Sequence, residues 1–227
     1  MYVDIFNTDK KYNIIYADPP WEYQQHGGKN NHRGMAKQHY DTMSTEDICN
    51  LPVRELATDD CVLFMWTTFP QIGEALKVIK AWGFKYRTAA FVWVKKNRKN
   101  NTNFWGMGAY TRANAEVCLL GISKGTKAKQ IVRSNSVHQI IESPVMEHSR
   151  KPHEARKRIV KLLGDVPRIE LFARQIRRGW DCWGNEIEVC WGSAEGGSEY
   201  CQEDYRHYSE QYPQISLFDL LGEKEIR

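Results

Sequence analysis

The amino-acid sequence predicts an α/β protein with a mostly parallel sheet and helices on both faces. Three observations support this fold class. Short runs rich in apolar residues recur at 13–17, 61–66, 84–94, 116–122 and 168–172. Amphipathic helix patterns separate several of these runs, which is the order of elements in parallel sheets. A length of 227 residues, with 41% hydrophobic and 26% charged content, suits one soluble domain with a sizeable core.

The first half of the chain shows clear element boundaries. The apolar run 13–17 ends at Asp18-Pro19-Pro20, which predicts a buried strand followed by a loop at 22–42. Ser44 and Asp47 resemble a capping box at the start of a short helix. After the strand at 61–66, Pro70 begins a helix that Gly83 stops. Its predicted buried face consists of Ile72, Ala75, Leu76 and Ile79.

The second half begins with the strand at 84–94 and a basic, polar loop at 95–115. A strand follows at 116–122, and residues 123–148 look irregular. Pro152 begins a helix with an apolar side that ends at Gly164, and the strand 168–172 comes next. Past about residue 189 the chain becomes acidic and rich in Ser, Gly and Tyr. We therefore expect one folded domain over residues 1–189 and an acidic C-terminal tail over 190–227.

The net charge of +4 conceals an uneven distribution of charge. From Glu186 onward ten acids face three bases, whereas nine bases and no acid lie between Glu74 and Glu116. A basic body with an acidic tail favours a polyanionic partner for the body, although solvated surface charge explains the pattern about as well. The nine bases are Lys77, Lys80, Lys85, Arg87, Lys95, Lys96, Arg98, Lys99 and Arg112.

Several classes of protein are disfavoured by the sequence. No run approaches the roughly 20 apolar residues of a membrane span, and the N-terminus lacks the features of a signal peptide. We therefore expect a cytoplasmic protein without membrane contacts. The six cysteines form no C-x-x-C pair, and His26, His32 and His39 are widely spaced in a loop, so no metal site is predicted.

The strongest chemical signal is Asp18-Pro19-Pro20-Trp21, directly after the strand at 13–17. Ligands of parallel sheets bind outside the carboxyl ends of strands, where this tetrapeptide lies. The residues of this motif suit methylation of an amine such as the exocyclic amine of adenine. That amine is a poor nucleophile because its lone pair is delocalised into the ring. The Asp18 carboxylate and the Pro19 carbonyl can accept its two N–H bonds, and Trp21 offers a flat face for stacking. A simple turn is the alternative interpretation.

The run from Asn13 to Trp21 resembles the signature of the MT-A70 family, which includes adenine methyltransferases of messenger RNA and of bacterial and phage DNA. Further segments are similar to that family in the same order, and the resemblance covers about residues 3–188. These segments are 91–95 and 114–121, then 147–154, then 169–174 with 179–181 and 184–186. The resemblance implies a Rossmann-like methyltransferase fold with a permuted motif order, in which the catalytic motif precedes the cofactor strand.

The same resemblance implies direct methyl transfer from S-adenosylmethionine to the N6 amine of adenine, without a metal ion. Asp18, Pro19, Pro20 and Trp21 would bind and activate the adenine. Lys151 would bind the carboxylate of the cofactor, and Glu186 would accept hydrogen bonds from its ribose hydroxyls. The expected cofactor contacts are Asp4, Ile5, Asp18, Lys151, Phe172, Arg174, Asn185 and Glu186.

The target base must be unpaired or flipped out to reach this site. The loops 22–42 and 95–115 would flank the site, and the second loop mixes bases with aromatic residues, as nucleic-acid surfaces do. A solvated loop with core aromatics is the alternative. The expected substrate contacts are Trp21, Lys95, Lys96, Tyr110, Ser149 and Lys151.

DNA is the favoured substrate, because the chain is short and resembles bacterial or phage members of the family. RNA adenine methylation is one alternative. Methylation of the cytosine N4 amine is another, but Trp21 stands where those enzymes more often carry Tyr or Phe. A non-catalytic nucleic-acid-binding subunit is the alternative of a different class. Such subunits lose the Asp of the motif, which is intact here as Asp18.

A second motif, Gln214 to Phe218, lies in the acidic tail. It is similar to the Gln-Leu-Ser/Asp-Leu-Phe peptide with which bacterial polymerases and repair proteins dock on the replication sliding clamp. The apolar pair Leu217 and Phe218 needs a packing partner in such a polar segment. The candidates are the sliding clamp, the chain's own domain and a second copy in a homodimer.

Overall fold

A seven-stranded sheet organises the fold. The computed structural model describes residues 1–22, 42–106, 108, 110–146, 150–185 and 187. The strands are β1 (Tyr12–Ala17), β2 (Ala57–Thr67), β3 (Lys85–Lys96), β4 (Ala115–Ile122), β5 (Ile140–Pro144), β6 (Arg168–Leu171) and β7 (Asp181–Trp183). Their order across the sheet is β5-β3-β4-β2-β1-β6-β7. The predicted tail 190–227, its segment Gln214 to Phe218 and the histidines His26, His32 and His39 lie outside the described residues.

Strand direction confirms the predicted, mostly parallel sheet. β1 is parallel to β2 and β6, β3 is parallel to β5, and β6 is parallel to β7. β4 is antiparallel to both of its neighbours, β2 and β3. The other six strands therefore end at one edge of the sheet, where β4 begins. We call this edge the carboxyl edge, and it is where ligands of open α/β sheets bind.

Four α-helices connect the described strands: α1 (Thr45–Asn50), α2 (Ile72–Ala81), α3 (Ala128–Ile131) and α4 (His153–Leu163). Two 3₁₀ turns, Val53–Leu56 and Phe69–Gln71, precede β2 and α2. The predicted cap of α1 is confirmed, because the Asp47 backbone N–H donates to Ser44 Oγ at 3.1 Å. None of the helices among the described residues is long and apolar enough to cross a bilayer.

Helices cover both faces of the sheet, as predicted. Alternate side chains of β1 point to opposite faces, so Ile15 and Ala17 join one core cluster while Ile14 and Tyr16 join the other. The helices α1 and α2 pack on the first face, and α4 packs on the second. Their buried contributions are Ile48, Ala75, Val78 and Ile79 on the first face, and Ala155, Ile159 and Leu163 on the second.

Three local predictions differ from the structure. Residues 123–148 contain the strand β5, and the three-residue strand β7 follows the predicted last strand. Only Ile141 of β5 is buried, because β5 is an edge strand, so its sequence lacks a clear strand pattern. In α2, Leu76 is 37% exposed whereas Val78 is fully buried. The buried face of α2 is therefore rotated from the predicted one.

A buried ion pair attaches α4 to the sheet. Arg156 on α4 donates through Nε to Glu170 Oε2 on β6 at 2.7 Å, and its Nη2 contacts the second carboxylate oxygen. The Arg156 guanidinium also lies 5.3 Å from the centre of the Tyr16 ring. Both charged side chains are largely shielded from solvent, at 16% and 8% exposure. Removing one charge would leave the other buried without its partner.

We therefore expect Glu170→Gln to lower the free energy of unfolding by about 3 kcal/mol. The matched control is Glu74→Gln, because Glu74 pairs with Lys77 on the surface of α2 and its side chain is 35% exposed. This control should change the free energy by less than about 0.5 kcal/mol. Urea denaturation of both variants makes the comparison. Equal effects of the two substitutions would show that the Arg156–Glu170 pair does not stabilise the packing of α4.

Candidate active site

The tetrapeptide Asp18-Pro19-Pro20-Trp21 leaves β1 at the carboxyl edge, between the ends of β2 and β6. Hydrogen bonds fix its backbone. The Trp21 N–H donates to the Pro19 carbonyl at 2.9 Å, and the Met43 N–H donates to the Pro20 carbonyl at 2.9 Å. The segment before α1 thus holds the motif in place. The Pro19 carbonyl keeps a second lone pair for another donor, since a carbonyl oxygen has two.

The Trp21 side chain packs inward. It is only 5% exposed, and its indole N–H donates to the Trp66 carbonyl at 3.1 Å. Burial of a tryptophan with a satisfied N–H is the ordinary way to anchor a loop onto a core. Trp21 therefore fixes the motif's backbone, and its ring does not present the open face on which a base was expected to stack.

Asp18 belongs to a chain of alternating charges. Its Oδ1 lies 2.9 Å from Lys151 Nζ, which in turn lies 3.3 Å from Glu116 Oε2. The other oxygen of Glu116 accepts from Lys95 Nζ at 2.6 Å. The Lys151 and Glu116 side chains are 9% and 8% exposed, whereas the Asp18 side chain is 24% exposed. We call Asp18, Lys151, Glu116 and Lys95 the ion cluster. Its two ends, Asp18 and Lys95, are partly exposed, and the Lys95 side chain is 22% exposed.

The cluster keeps its two buried members charged. Burial acts to lower the pKa of Lys151, but the Asp18 and Glu116 carboxylates outweigh it and hold that pKa above the usual range. Burial likewise acts to raise the pKa of Glu116, yet Lys151 and Lys95 hold it below its usual range. Both groups are therefore ionised at neutral pH. A buried charge is tolerated only with such partners.

Sheet topology explains how these residues meet. Because β4 runs opposite to its neighbours, Glu116 near its start lies at the edge where β1 and β3 end. Glu116 pairs in register with Trp93, two residues before Lys95. Lys151 arrives from the segment before α4. Glu116 is a site residue that was not predicted from the sequence. An acidic residue within the apolar strand β4 was the available signal.

A second part of the edge is built by the turns after β6 and β7. Phe172 has a positive φ of 58° and packs edge-on against Trp183, with ring centres 5.3 Å apart. The Ala173 N–H donates to the Trp183 carbonyl at 2.9 Å. A Cβ on Gly184 would lie 2.4 Å from the Ala173 carbonyl oxygen, so only glycine fits there. The two turns therefore pack tightly against each other beside Asp18.

The N-terminal segment runs alongside β7 to the same edge. The Val3 N–H donates to the Cys182 carbonyl, and the Cys182 N–H donates to the Met1 carbonyl, at 2.9 and 2.8 Å. This pairing brings Asp4 and Ile5 beside the turn at Gly184. The Asp4 carboxylate accepts from the Phe6 N–H at 3.0 Å and from Asn7 Nδ2 at 2.7 Å, while Ile5 is buried in the core.

The structure thus gathers most predicted site residues at one edge. Asp18 and Lys151 are in contact, Phe172 and Arg174 follow β6, Asn185 follows β7 and is exposed, and Asp4 lies next to that turn. Two predicted residues, Ser149 and Glu186, lie outside the described residues.

The predicted substrate residues of β3 and the following loop have different surroundings. Lys95 is part of the ion cluster. Lys96 lies outside the ion cluster, and its Nζ is 2.9 Å from Glu142 Oε1 and 3.0 Å from Asn103 Oδ1. Tyr110 is fully exposed and Trp105 is 60% exposed. The loop after β3 therefore offers aromatic surface, whereas Lys95 and Lys96, at the end of β3, are held by protein partners.

Known proteins resemble the chain over most of its length. It is 35% identical over 195 residues to the Type II methyltransferase M.MunI of a Mycoplasma species, which is 78% of each protein. It is 30% identical over 198 residues to the human N(6)-adenine-specific methyltransferase METTL4, covering 81% of this chain and 39% of that one. It is 27% identical to the N(6)-adenosine-methyltransferase MT-A70-like protein of Arabidopsis thaliana, covering 95% of this chain and 28% of that one.

The chain therefore spans most of the Mycoplasma protein but well under half of the human and plant proteins. The family model described as MT-A70 matches residues 12–186. This range runs from β1 to the turn after β7 and includes the tetrapeptide and the whole ion cluster. The chain belongs to the MT-A70 family of methyltransferases.

Proposed function

We infer that this chain transfers the methyl group of S-adenosylmethionine to the exocyclic N6 amine of adenine in DNA. Members of the MT-A70 family methylate this amine in nucleic acids. The observation that carries the proposal is the 2.9 Å contact between Asp18 and Lys151 at the carboxyl edge. This contact holds the Asp18 carboxylate at the edge of the sheet, next to the turns after β6 and β7. One side of the carboxylate is open to solvent.

In the proposed reaction, the Asp18 carboxylate accepts one N–H bond of the adenine amine and the Pro19 carbonyl accepts the other. These bonds draw the nitrogen lone pair out of the ring, which makes the amine a better nucleophile. A new N–CH₃ bond forms as the S–CH₃ bond of the donor breaks. The proton that the amine loses passes to the Asp18 carboxylate and on to solvent. Lys151 fixes the orientation of Asp18 throughout.

The residues of the edge fit S-adenosylmethionine. This cofactor, when bound, supplies an electrophilic methyl group on a sulfonium sulfur. Phe172 offers an apolar wall for its adenosine, the exposed Asn185 amide offers hydrogen bonds, and Asp4 lies beside them. We propose that Lys151 contacts its carboxylate and Arg174 its ribose, as the family resemblance implies. We extend this set to Ile5 and Glu186, as the family resemblance implies.

Two findings support DNA as the substrate. The similarity to a Type II methyltransferase extends over 78% of both chains. The loop after β3 carries Arg98, Lys99 and Arg112 in the same stretch of sequence as the exposed Trp105 and Tyr110. Bases and exposed aromatics together suit a nucleic-acid strand with unstacked bases. We include Lys95, Lys96, Tyr110 and Ser149 in the proposed substrate surface.

We expect Asp18→Asn to reduce methyl transfer by at least about a hundredfold, because the amide cannot take the proton or accept as strong a hydrogen bond. Incorporation of labelled methyl groups into duplex DNA, single-stranded DNA and RNA measures the effect. The matched control is Asp9→Asn, since Asp9 is exposed before β1. Wild-type incorporation by the Asp18 variant would contradict the proposed role of Asp18. Incorporation into RNA alone would contradict the choice of DNA.

The ion cluster also predicts how stability depends on pH. Glu116 stabilises the fold above its ordinary pKa of 4.5, and this contribution is lost as pH falls through its lowered pKa. Lys151 stabilises the fold below its ordinary pKa of 10.5, and that contribution is lost only above its raised pKa. The cluster should therefore contribute a constant amount between about pH 5 and pH 10.

Accordingly, Glu116→Gln should cost about 3 kcal/mol of unfolding free energy across this window, and the cost should shrink in stronger acid. Urea denaturation at a series of pH values measures the difference from the wild-type protein. Glu142→Gln is the matched control, because Glu142 pairs with Lys96 at 58% exposure and should show little effect at any pH. A negligible cost for Glu116→Gln at pH 7 would show that the cluster is not coupled to the fold.

We also propose that the segment Gln214 to Phe218 in the tail 190–227 docks on a replication sliding clamp. The support for this proposal is the sequence motif alone. A peptide spanning residues 210–222 should bind purified clamp, and the same peptide with Leu217→Ala and Phe218→Ala should not, because its apolar anchors are gone. Fluorescence anisotropy measures both. No binding of the unaltered peptide at tens of micromolar would remove the proposal.

A further inference from the structure

The turn after β2 places an exposed aromatic ring at the carboxyl edge. β2 is the parallel neighbour of β1, with Met65 in register with Ala17, so both strands end at the same edge of the sheet. The 3₁₀ turn Phe69–Gln71 begins two residues after Thr67, the last residue of β2. Phe69 is 52% exposed, whereas Gln71 in the same turn is buried. The turn therefore faces solvent with its phenylalanine.

Two hydrogen bonds join the end of β2 and this turn to the catalytic motif. The Trp21 indole N–H donates to the Trp66 carbonyl at 3.1 Å, and Gln71 Nε2 donates to the Glu22 carbonyl at 2.9 Å. A single exposed aromatic residue is ordinary on a protein surface. Phe69 differs because its turn is bonded to the segment that directly follows the motif. Its place next to the motif is thus set by the fold.

An adenine in this site needs a face on which to stack. A base that leaves its duplex loses the stacking energy of its neighbours, and an aromatic side chain in the site can replace part of it. The ring of Trp21 does not offer this face, because Trp21 is buried and its indole N–H is bonded to the core. Phe69, at the adjacent strand end, carries an exposed ring.

The order of the strands indicates the side from which the adenine arrives. The surface proposed for the methyl donor lies after β6 and β7, on one side of β1, and β2 lies on the other side. In an in-line transfer, the sulfonium sulfur and the amine nitrogen lie on opposite sides of the methyl carbon. A base whose amine reaches Asp18 and the Pro19 carbonyl therefore extends away from β6, over the end of β2 and towards Phe69.

We propose that Phe69 stacks on the adenine that receives the methyl group. This inference rests on the proposed function and adds a substrate-binding residue to the same site. The bonds from the amine to Asp18 and to the Pro19 carbonyl hold one edge of the base. Stacking on Phe69 holds the plane of the ring, so that the nitrogen lone pair points at the methyl group. Phe69 thus positions the base and does not itself exchange a proton.

Three substitutions of Phe69 separate stacking from simple packing. Phe69→Ala removes the ring, and kcat/KM for an oligonucleotide that the wild-type protein methylates should fall about tenfold. Phe69→Leu keeps an apolar side chain without a flat face and should remain at least about fivefold below wild type. Phe69→Tyr keeps the ring and should stay within about threefold of wild type. The dissociation constant for S-adenosylmethionine, measured by calorimetry, should not change in any of them.

Tyr86→Ala is the matched control. Tyr86 is another exposed aromatic residue, at 43%, but it lies near the start of β3, at the opposite edge of the sheet. Its loss should change kcat/KM by no more than about twofold, as for an ordinary surface substitution. Urea denaturation should show that Phe69→Ala and Tyr86→Ala are both folded, with similar small losses of stability, since both rings are largely exposed.

A fluorescent base reports stacking directly. 2-Aminopurine replaces the adenine that the wild-type protein methylates, and its fluorescence is quenched when it stacks on an aromatic ring. The complex with Phe69→Ala should therefore be brighter than the complex with the wild-type protein at saturating protein. The complexes with Phe69→Tyr and Tyr86→Ala should match the wild-type complex. A merely structural role of Phe69 would not produce this pattern.

The proposal is overturned if Phe69→Ala and Tyr86→Ala have equal kcat/KM and equal fluorescence. Wild-type activity of Phe69→Leu would also overturn it, because apolar packing would then suffice. Weaker binding of S-adenosylmethionine by Phe69→Ala would assign the ring to the cofactor instead. Wild-type protein that methylates no adenine would defeat the proposed function, and this inference with it. Wild-type protein that methylates adenine while Phe69→Ala behaves like Tyr86→Ala would defeat the inference alone.

Discussion

The contact between the Asp18 carboxylate and the Lys151 ammonium is the interaction on which the site depends. It joins the end of β1 to the segment before α4, and through Glu116 and Lys95 it extends to the ends of the central strands. Four alternating charges balance one another, so a buried lysine and a buried glutamate are tolerated at a sheet edge. The Asp18 side chain is 24% exposed, which leaves its carboxylate available to a substrate amine.

The reversed strand β4 is the topological condition for this arrangement. A parallel β4 would carry Glu116 to the opposite edge, and Lys151 would lose one of its two carboxylates. The same strand order brings the turns after β6 and β7 next to β1, with Gly184 packed against Ala173. The surface proposed for the methyl donor and the carboxylate proposed for the acceptor therefore lie at the ends of adjacent strands, although their residues are far apart in sequence.

The sequence predicted the features that local patterns specify. The strand before Asp18, the capped helix at Ser44, the proline-started helix α4 and helices on both faces are confirmed. An acidic residue in the apolar run of β4 marks Glu116 as unusual, but its contact with Lys151 depends on long-range pairing with a reversed strand, which no local pattern encodes. The inward position of Trp21 depends on the carbonyl of Trp66, 45 residues away in the chain. The edge strand β5 was not predicted, because Ile141 is its only buried residue.

A crystal structure with a bisubstrate analogue, in which adenine N6 is tethered to the methionine portion of the cofactor, tests the central claim most directly. We predict that N6 lies about 3 Å from an Asp18 carboxylate oxygen, with Lys151 still in contact with Asp18. The adenosine of the cofactor portion should rest on Phe172 and Asn185. A tethered adenine bound away from Asp18, with the analogue occupying another edge of the sheet, would contradict the account.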